Sequence, residues 1–189
     1  ALVFVGLPWE WKGKLYNVAA AICHGRLLGL VPKKNLPNYS EFYEMRHFEP
    51  ANEDLDYIEY PGEEEQEWIP FGMQQIFYCP QMEGLTVAAE ICEDLWVPQP
   101  PSITHAIAGA NVIVNLSASD EITGKDSYRR NLVGGQSARL VCGYIYADAG
   151  EGESSTDLVF AAHNLIAENG TILAQSKRFE NEIVTADLD

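Results

Sequence analysis

The chain has 189 residues, 47% of them apolar, and a formal net charge of −16 from 12 basic and 28 acidic side chains. That balance argues against nucleic-acid binding, which depends on neutralising phosphates, and against anionic membrane surfaces; the excess reads as a solvated acidic face. No apolar run approaches the ~20 residues of a membrane span, and the opening ALVFVGLPWEW lacks the basic segment of a signal peptide.

Residues 1–7 read as a strand already under way, so the chain is expected to start inside a domain. Glu10, in PWEW, is placed in a loop. Strands over 16–22 and 26–31 form a hairpin that turns at His24-Gly25. Residues 49–68, the most polar stretch, are predicted to be a surface loop. Strands are expected over 74–78 and 85–91, and a helix over 101–110, opened by Pro101. A strand over 112–116 leads to a helix over 126–142, which sets Leu132, Gln136, Arg139 and Leu140 on related turns. Its Gly134-Gly135 pair costs roughly 1 kcal/mol per glycine relative to alanine, which implies close packing against a neighbour. A strand over 144–147 follows, then a hairpin turning at Asn169-Gly170, and a last strand from NEIVTADLD. Hairpins mixed with helices favour an α+β or mixed-sheet α/β domain over a purely parallel one.

The cysteines, Cys23, Cys79, Cys92 and Cys142, are widely spaced and contain no CxxC pair. That argues against zinc and for a reducing, cytoplasmic compartment. The four histidines fall in no Cys-His motif. Cys92 stands apart because it ends the strand 85–91 and is followed at once by Glu93 and Asp94. Two readings stand: an inert buried thiol, or a nucleophile at the mouth of a sheet, where α/β active sites gather. Acidic neighbours raise a thiol's pKa, so the second reading needs a cation. The stretch GLVPKKNLPNYSEFYE supplies one, since its strand ends in Lys33-Lys34. A lysine there favours the thiolate and stabilises an oxyanion.

PKKNLPNYSEFYE together with EICEDLW resembles the carbon-nitrogen hydrolase (nitrilase) superfamily. With NLSAS and the run AGEGESSTD, the likeness is closest to the glutaminase domains of glutamine-dependent NAD synthetases, and it covers nearly the whole chain. The resemblance implies an α/β fold, a nitrilase-like α-β-β-α sandwich of mixed sheets lacking the first strand and helix. Residues 1–189 are then a single partial domain, with the ATP-pyrophosphatase synthetase domain absent. It implies Cys92 as nucleophile, Lys33 as oxyanion-binding lysine, and Glu44 as a second glutamate that orients the lysine or the attacking water. Tyr39, Glu93, Ser119 and Lys125 are implied to line a glutamine pocket, with the Glu93 carboxylate on the α-ammonium. Glu93 also reads as an acid favoured at a helix N-terminus.

The family's general-base glutamate has no match here, since Glu10 does not fit its position; this stretch alone is therefore expected to be inactive. The implied activity is glutamine amide hydrolysis that supplies ammonia for ATP-dependent amidation of nicotinic acid adenine dinucleotide. No cofactor is expected for this half; ATP and Mg belong to the synthetase domain of the same polypeptide. A homo-oligomer is expected. The alternatives are a stand-alone nitrilase or amidase acting on another small amide, and a non-catalytic oligomerisation module.

Overall fold

Three two-residue turns with positive φ at both positions, Lys12-Gly13, His24-Gly25 and Asn169-Gly170, punctuate the computed structural model. Paired left-handed residues match the twist of antiparallel strands, which is why these dipeptides close hairpins. The structure describes residues 1–61, 66–153 and 156–189. They fall into two units, Ala1–Gln75 and Ile76–Asp189.

The first unit is a five-stranded mixed sheet. β1 (Leu2–Trp11), β2 (Lys14–Cys23) and β3 (Arg26–Pro32) form an antiparallel meander. Beyond a short 3-10 turn at Glu44–Arg46 come β4 (Asp56–Pro61) and β5 (Gln66–Phe71), which give the order β1-β2-β3-β5-β4. β1 lies at the edge, where Pro8 removes no interior ladder bond. Val18, Ala20, Leu30, Ile58, Ile69 and Phe71 form its core, flanked by Trp9, Trp11 and Tyr16.

The second unit is a six-stranded sheet of order β11-β10-β9-β8-β7-β6. Its strands are β6 (Phe77–Tyr78), β7 (Thr86–Ile91), β8 (Val112–Ser117), β9 (Gly143–Asp148), β10 (Leu165–Glu168) and β11 (Thr171–Gln175). β7, β8 and β9 are parallel, linked by the helices α1 (Pro101–Ile107) and α2 (Lys125–Leu140), and the outer pairs are antiparallel. The core holds Ala88, Leu95, Ile113, Val133, Tyr144 and Leu165. No helix among the described residues is long and apolar enough to cross a membrane.

Several expectations are corrected. Glu10 is not in a loop: it sits in β1, paired with Leu15. Residues 49–68 contain β4 and the start of β5, because Ile58, Ile69 and Phe71 alternate inward while Tyr57, Glu59 and Trp68 stay at the surface. Glu63, Glu64 and Glu65, in the same acidic run, lie outside the described residues. The strand expected over 74–78 shrinks to β6, since the Gln75 amide is spent on the carbonyls of Leu30 (2.7 Å) and Gly72 (2.8 Å). NEIVTADLD forms no strand: Ile183 is exposed, Leu188 packs on Gly143, and the Asp189 N–H donates to Glu168 Oε1 at 2.9 Å. Of the glycine pair, only Gly134 is closely packed; a Cβ there would lie 3.4 Å from the Gly170 carbonyl oxygen, whereas Gly135 faces open space.

Candidate active site

In the first unit, the site residues gather where β3 runs out. Pro32 is the last residue of the strand, and Lys33 extends the pairing by one bond, its N–H donating to the Asn17 carbonyl at 2.8 Å. Side chains alternate along such a segment. Lys33 is accordingly turned inward and only 1% exposed, while Lys34 reaches outward to Glu53 at 3.3 Å. A buried ammonium needs a counter-charge. The Lys33 ammonium finds it in Glu44 Oε2, on the 3-10 turn, and Glu44 Oε1 accepts from Asn17 Nδ2 at 3.2 Å. Tyr39 lies on the loop between them, exposed, its ring edge-on to Phe42. Lys33 and Glu44 are thus brought together, and Asn17, which sequence reasoning missed, holds the other carboxylate oxygen.

In the second unit, Cys92 follows β7 directly and opens a 3-10 turn, Cys92–Leu95. Its φ is +45°, the left-handed region that a side chain with a Cβ enters only at a cost. Its N–H donates to Asn115 Oδ1 on β8 at 3.0 Å, and the Ile91 N–H donates to Asp94 Oδ2 at 3.0 Å. These two bonds fix the corner between strand and turn. Glu93 is half-buried on the same turn.

Ser119 and Lys125 lie on either side of the loop that leads into α2. The Ser119 N–H donates to Asp148 Oδ1 at 2.9 Å and its hydroxyl accepts from Arg129 at 3.3 Å. Lys125 is salt-bridged to Asp120, and its ammonium stands 5.2 Å from the centre of the Trp96 ring. Trp96, just past the turn that Cys92 opens, also meets the Tyr128 ring at 5.3 Å. Lys125 is thereby tied to the segment that carries Cys92.

Beyond Asn17 and Asn115, two buried polar groups escaped sequence reasoning. Arg129 on α2 is fully buried and bonds Glu121 at 2.9 Å, the His163 ring at 3.0 Å and the Asp120 carbonyl at 3.2 Å. Burial opposes its charge, but Asp148, Tyr146 and Glu121 outweigh that and raise it above its ordinary value. Burial pushes the Asp148 carboxyl up to about 6 against the pull of Arg129, and burial, then Arg129, lowers the His163 ring. Arg129 therefore braces the loop that presents Ser119.

The second group is Glu90, which lies buried inside β7 and accepts from the Tyr144 hydroxyl and from the Ser102 N–H at 2.8 Å. A signal for both Glu90 and Asn115 was present: each is a polar residue interrupting an otherwise apolar strand. Within AGEGESSTD, Ser154 and Ser155 lie outside the described residues.

The family model for Carbon-nitrogen hydrolase matches residues 1–189. A relative from Mycobacterium tuberculosis, named glutamine-dependent NAD(+) synthetase, is 41% identical over 190 residues, covering all of this chain and 27% of the relative. The crystal structure of a glutamine-dependent NAD(+) synthetase from Cytophaga hutchinsonii superposes with a TM-score of 0.80 at 27% identity, covering 97% of this chain and 29% of that one. An amidase from Nesterenkonia sp. superposes at 0.70 with 18% identity, covering 97% of this chain and 59% of that one, a likeness of fold. The chain spans about a quarter of the length of the synthetases it matches.

Proposed function

Because the chain belongs to the carbon-nitrogen hydrolase family, we propose that it is the part of a glutamine-dependent NAD synthetase that releases ammonia from glutamine. Cys92 is the nucleophile. Its thiol proton passes to a glutamate base, and the thiolate attacks the side-chain amide carbon. The C–N bond breaks, ammonia takes up a proton and leaves, and the acyl group remains as a thioester that water hydrolyses to glutamate. Lys33 stabilises the tetrahedral oxyanion together with a backbone N–H on the turn after Cys92. The Cys92 N–H is not that donor, since Asn115 already takes it.

Glu44 holds the Lys33 side chain in position. Glu93 takes the α-ammonium of glutamine, and Tyr39, Ser119 and Lys125 line its pocket. The ammonia serves a synthetase domain of the same polypeptide, where ATP with Mg activates nicotinic acid adenine dinucleotide. The residues that carry this half need neither metal nor cofactor.

The observation that carries the reading is Cys92 itself: a cysteine in the left-handed region at the end of a parallel strand, on a turn pinned by Asn115 and Asp94. The test is ammonia release from glutamine by the complete polypeptide, with a panel of other amides beside it. Loss of glutamine hydrolysis in Cys92→Ala supports the proposal; preference for another amide turns it into that of a general amidase.

A further inference from the structure

We propose that Asn115 is a positioning residue for Cys92, turned by Tyr144 and Glu90 so that its side-chain carbonyl locks the left-handed backbone that presents the thiol. The inference rests on the reading of Cys92 as nucleophile and adds what holds it in place.

A non-glycine residue in this region is strained and persists only when its surroundings impose it. At Cys92 the imposing contact is the bond from its N–H to Asn115 Oδ1, 3.0 Å long. An amide side chain has two ends, and only one can accept this N–H. Its partners choose the end. Asn115 Nδ2 donates to the Tyr144 hydroxyl at 3.2 Å. Tyr144 in turn donates its single proton to Glu90 Oε1, so toward Asn115 its oxygen can only accept. A flipped Asn115 would set NH2 against the Cys92 N–H and leave its carbonyl oxygen against an oxygen with no proton to give.

Glu90 is anchored by the same logic. Its Oε2 accepts the Ser102 N–H at the start of α1, and the Ser102 hydroxyl accepts from Gln136 Nε2 on α2 at 2.8 Å. Burial, reinforced by Glu90, raises the Tyr144 phenol well above its ordinary 10, so it keeps the proton it donates. Glu90, Asn115 and Tyr144 are each at most 1% exposed. The donations between them share one sense, from the Cys92 N–H at the end of β7 to Asn115 on β8, from Asn115 to Tyr144 on β9, and from Tyr144 back to Glu90 on β7. An apolar packing of the same volume would fill the core but could not choose the amide end.

The test uses the complete polypeptide and two readouts, steady-state glutamine hydrolysis and the rate at which iodoacetamide alkylates Cys92. Asn115→Ala is expected to lower kcat by about 10²-fold, the scale of a misplaced reacting group, with KM little changed. Tyr144→Phe, which removes one hydroxyl, is expected to lower kcat by about 10-fold and to slow alkylation in proportion. The double variant should be no worse than Asn115→Ala alone, because Tyr144 acts through Asn115. If Asn115→Ala does not fold, Tyr144→Phe decides alone. A Tyr144→Phe enzyme with both rates within about twofold of the parent, or additive losses in the double, overturns the proposal. Cys92→Ala separates the two readings: if it still hydrolyses glutamine, the assignment of the nucleophile has failed, whereas an inactive Cys92→Ala beside an unaffected Tyr144→Phe removes only the positioning role.

Discussion

Asn17 and Lys33 divide one carboxylate between them: Asn17 Nδ2 donates to Glu44 Oε1 at 3.2 Å while the Lys33 ammonium takes Oε2. Lys33 is buried, and its partner is three-quarters buried. Truncating Glu44 to alanine therefore strands a desolvated ammonium, and a loss of about 3 kcal/mol is expected from breaking such a pair. Replacing Lys33 by methionine in the Glu44→Ala background removes that charge and should recover most of the stability, but no activity. Urea midpoints of the two variants check this, and equal midpoints would show that charge burial is not what Glu44 relieves.

Lys33 and Lys34 are neighbours with opposite surroundings, one paired inside and one paired to Glu53 at the surface. Lys33→Ala should cost at least about 10² in turnover, the scale of losing an oxyanion donor. Lys34→Ala should leave turnover near that of the parent. Ammonia release from glutamine measures both, and reversed effects would mean that the strand presents the other lysine to the chemistry.

Among the thiols, Cys142 is a core residue whose pKa burial pushes up to about 11, Glu90 adding to the effect, so it is a poor nucleophile near neutral pH. Cys92→Ala is expected to abolish glutamine hydrolysis. Cys23→Ala and Cys142→Ala should each leave it within about a few-fold, apart from the stability cost of the buried truncation. Retained hydrolysis in Cys92→Ala would sink the proposed chemistry.

Glu90 gives the fold a pH dependence of known sign. Burial, resisted by the Tyr144 bond and reinforced by Asp94, pushes its carboxyl from an ordinary 4.5 up to about 7. The folded state then holds this proton more tightly than the unfolded one. Its contribution to stability is complete below pH 4.5 and is lost as pH rises through about 7, where the core must carry a bare carboxylate. The loss is of order 3 kcal/mol, roughly 1.4 per pKa unit. Between these pH values, the fall of unfolding free energy with pH should be shallower in Glu90→Gln by about one proton. An unchanged slope would assign the effect to other groups, Asp148 first among them because its carboxyl is also raised.

Gly150 is the tightest glycine contact in the second unit. A Cβ there would lie 2.6 Å from the Ala162 Cβ and 2.5 Å from Asn181 Oδ1. The alanine methyl cannot rotate out of the way, so Gly150→Ala should destabilise by about 1–3 kcal/mol. Gly135→Ala, in open space on α2, should be neutral or stabilising by up to about 1 kcal/mol. Thermal unfolding of the two variants compares them directly.

The strand ends that carry Lys33 and Cys92 were legible because apolar runs stop there, and the hairpins at His24-Gly25 and Asn169-Gly170 because left-handed dipeptides are rare and specific. β4 and β5 were not, since among the described residues Ile58, Ile69 and Phe71 are the ones buried there and the acidic outer residues mask that half-pattern. The Lys12-Gly13 turn was not legible either: the sequence reading ends the first strand at residue 7 and sets Glu10 in a loop, whereas Trp9, Glu10 and Trp11 pair with Tyr16, Leu15 and Lys14. Asn17, Asn115 and Arg129 depend on partners far along the chain, Glu44, Tyr144 and His163, and no local pattern reports such pairings.

The ring of Trp96, with the Lys125 ammonium on one side and Tyr128 against it, has a spectroscopic consequence. Of the four tryptophans in the chain, Trp9, Trp11 and Trp68 belong to the first unit and Trp96 alone to the second. Indole emission responds to a nearby cation and to water. With the other three indoles of residues 1–189 exchanged for phenylalanine, the fluorescence of Trp96 reports, within this stretch, on the corner that carries Cys92, changing colour and intensity when Lys125 leaves its face.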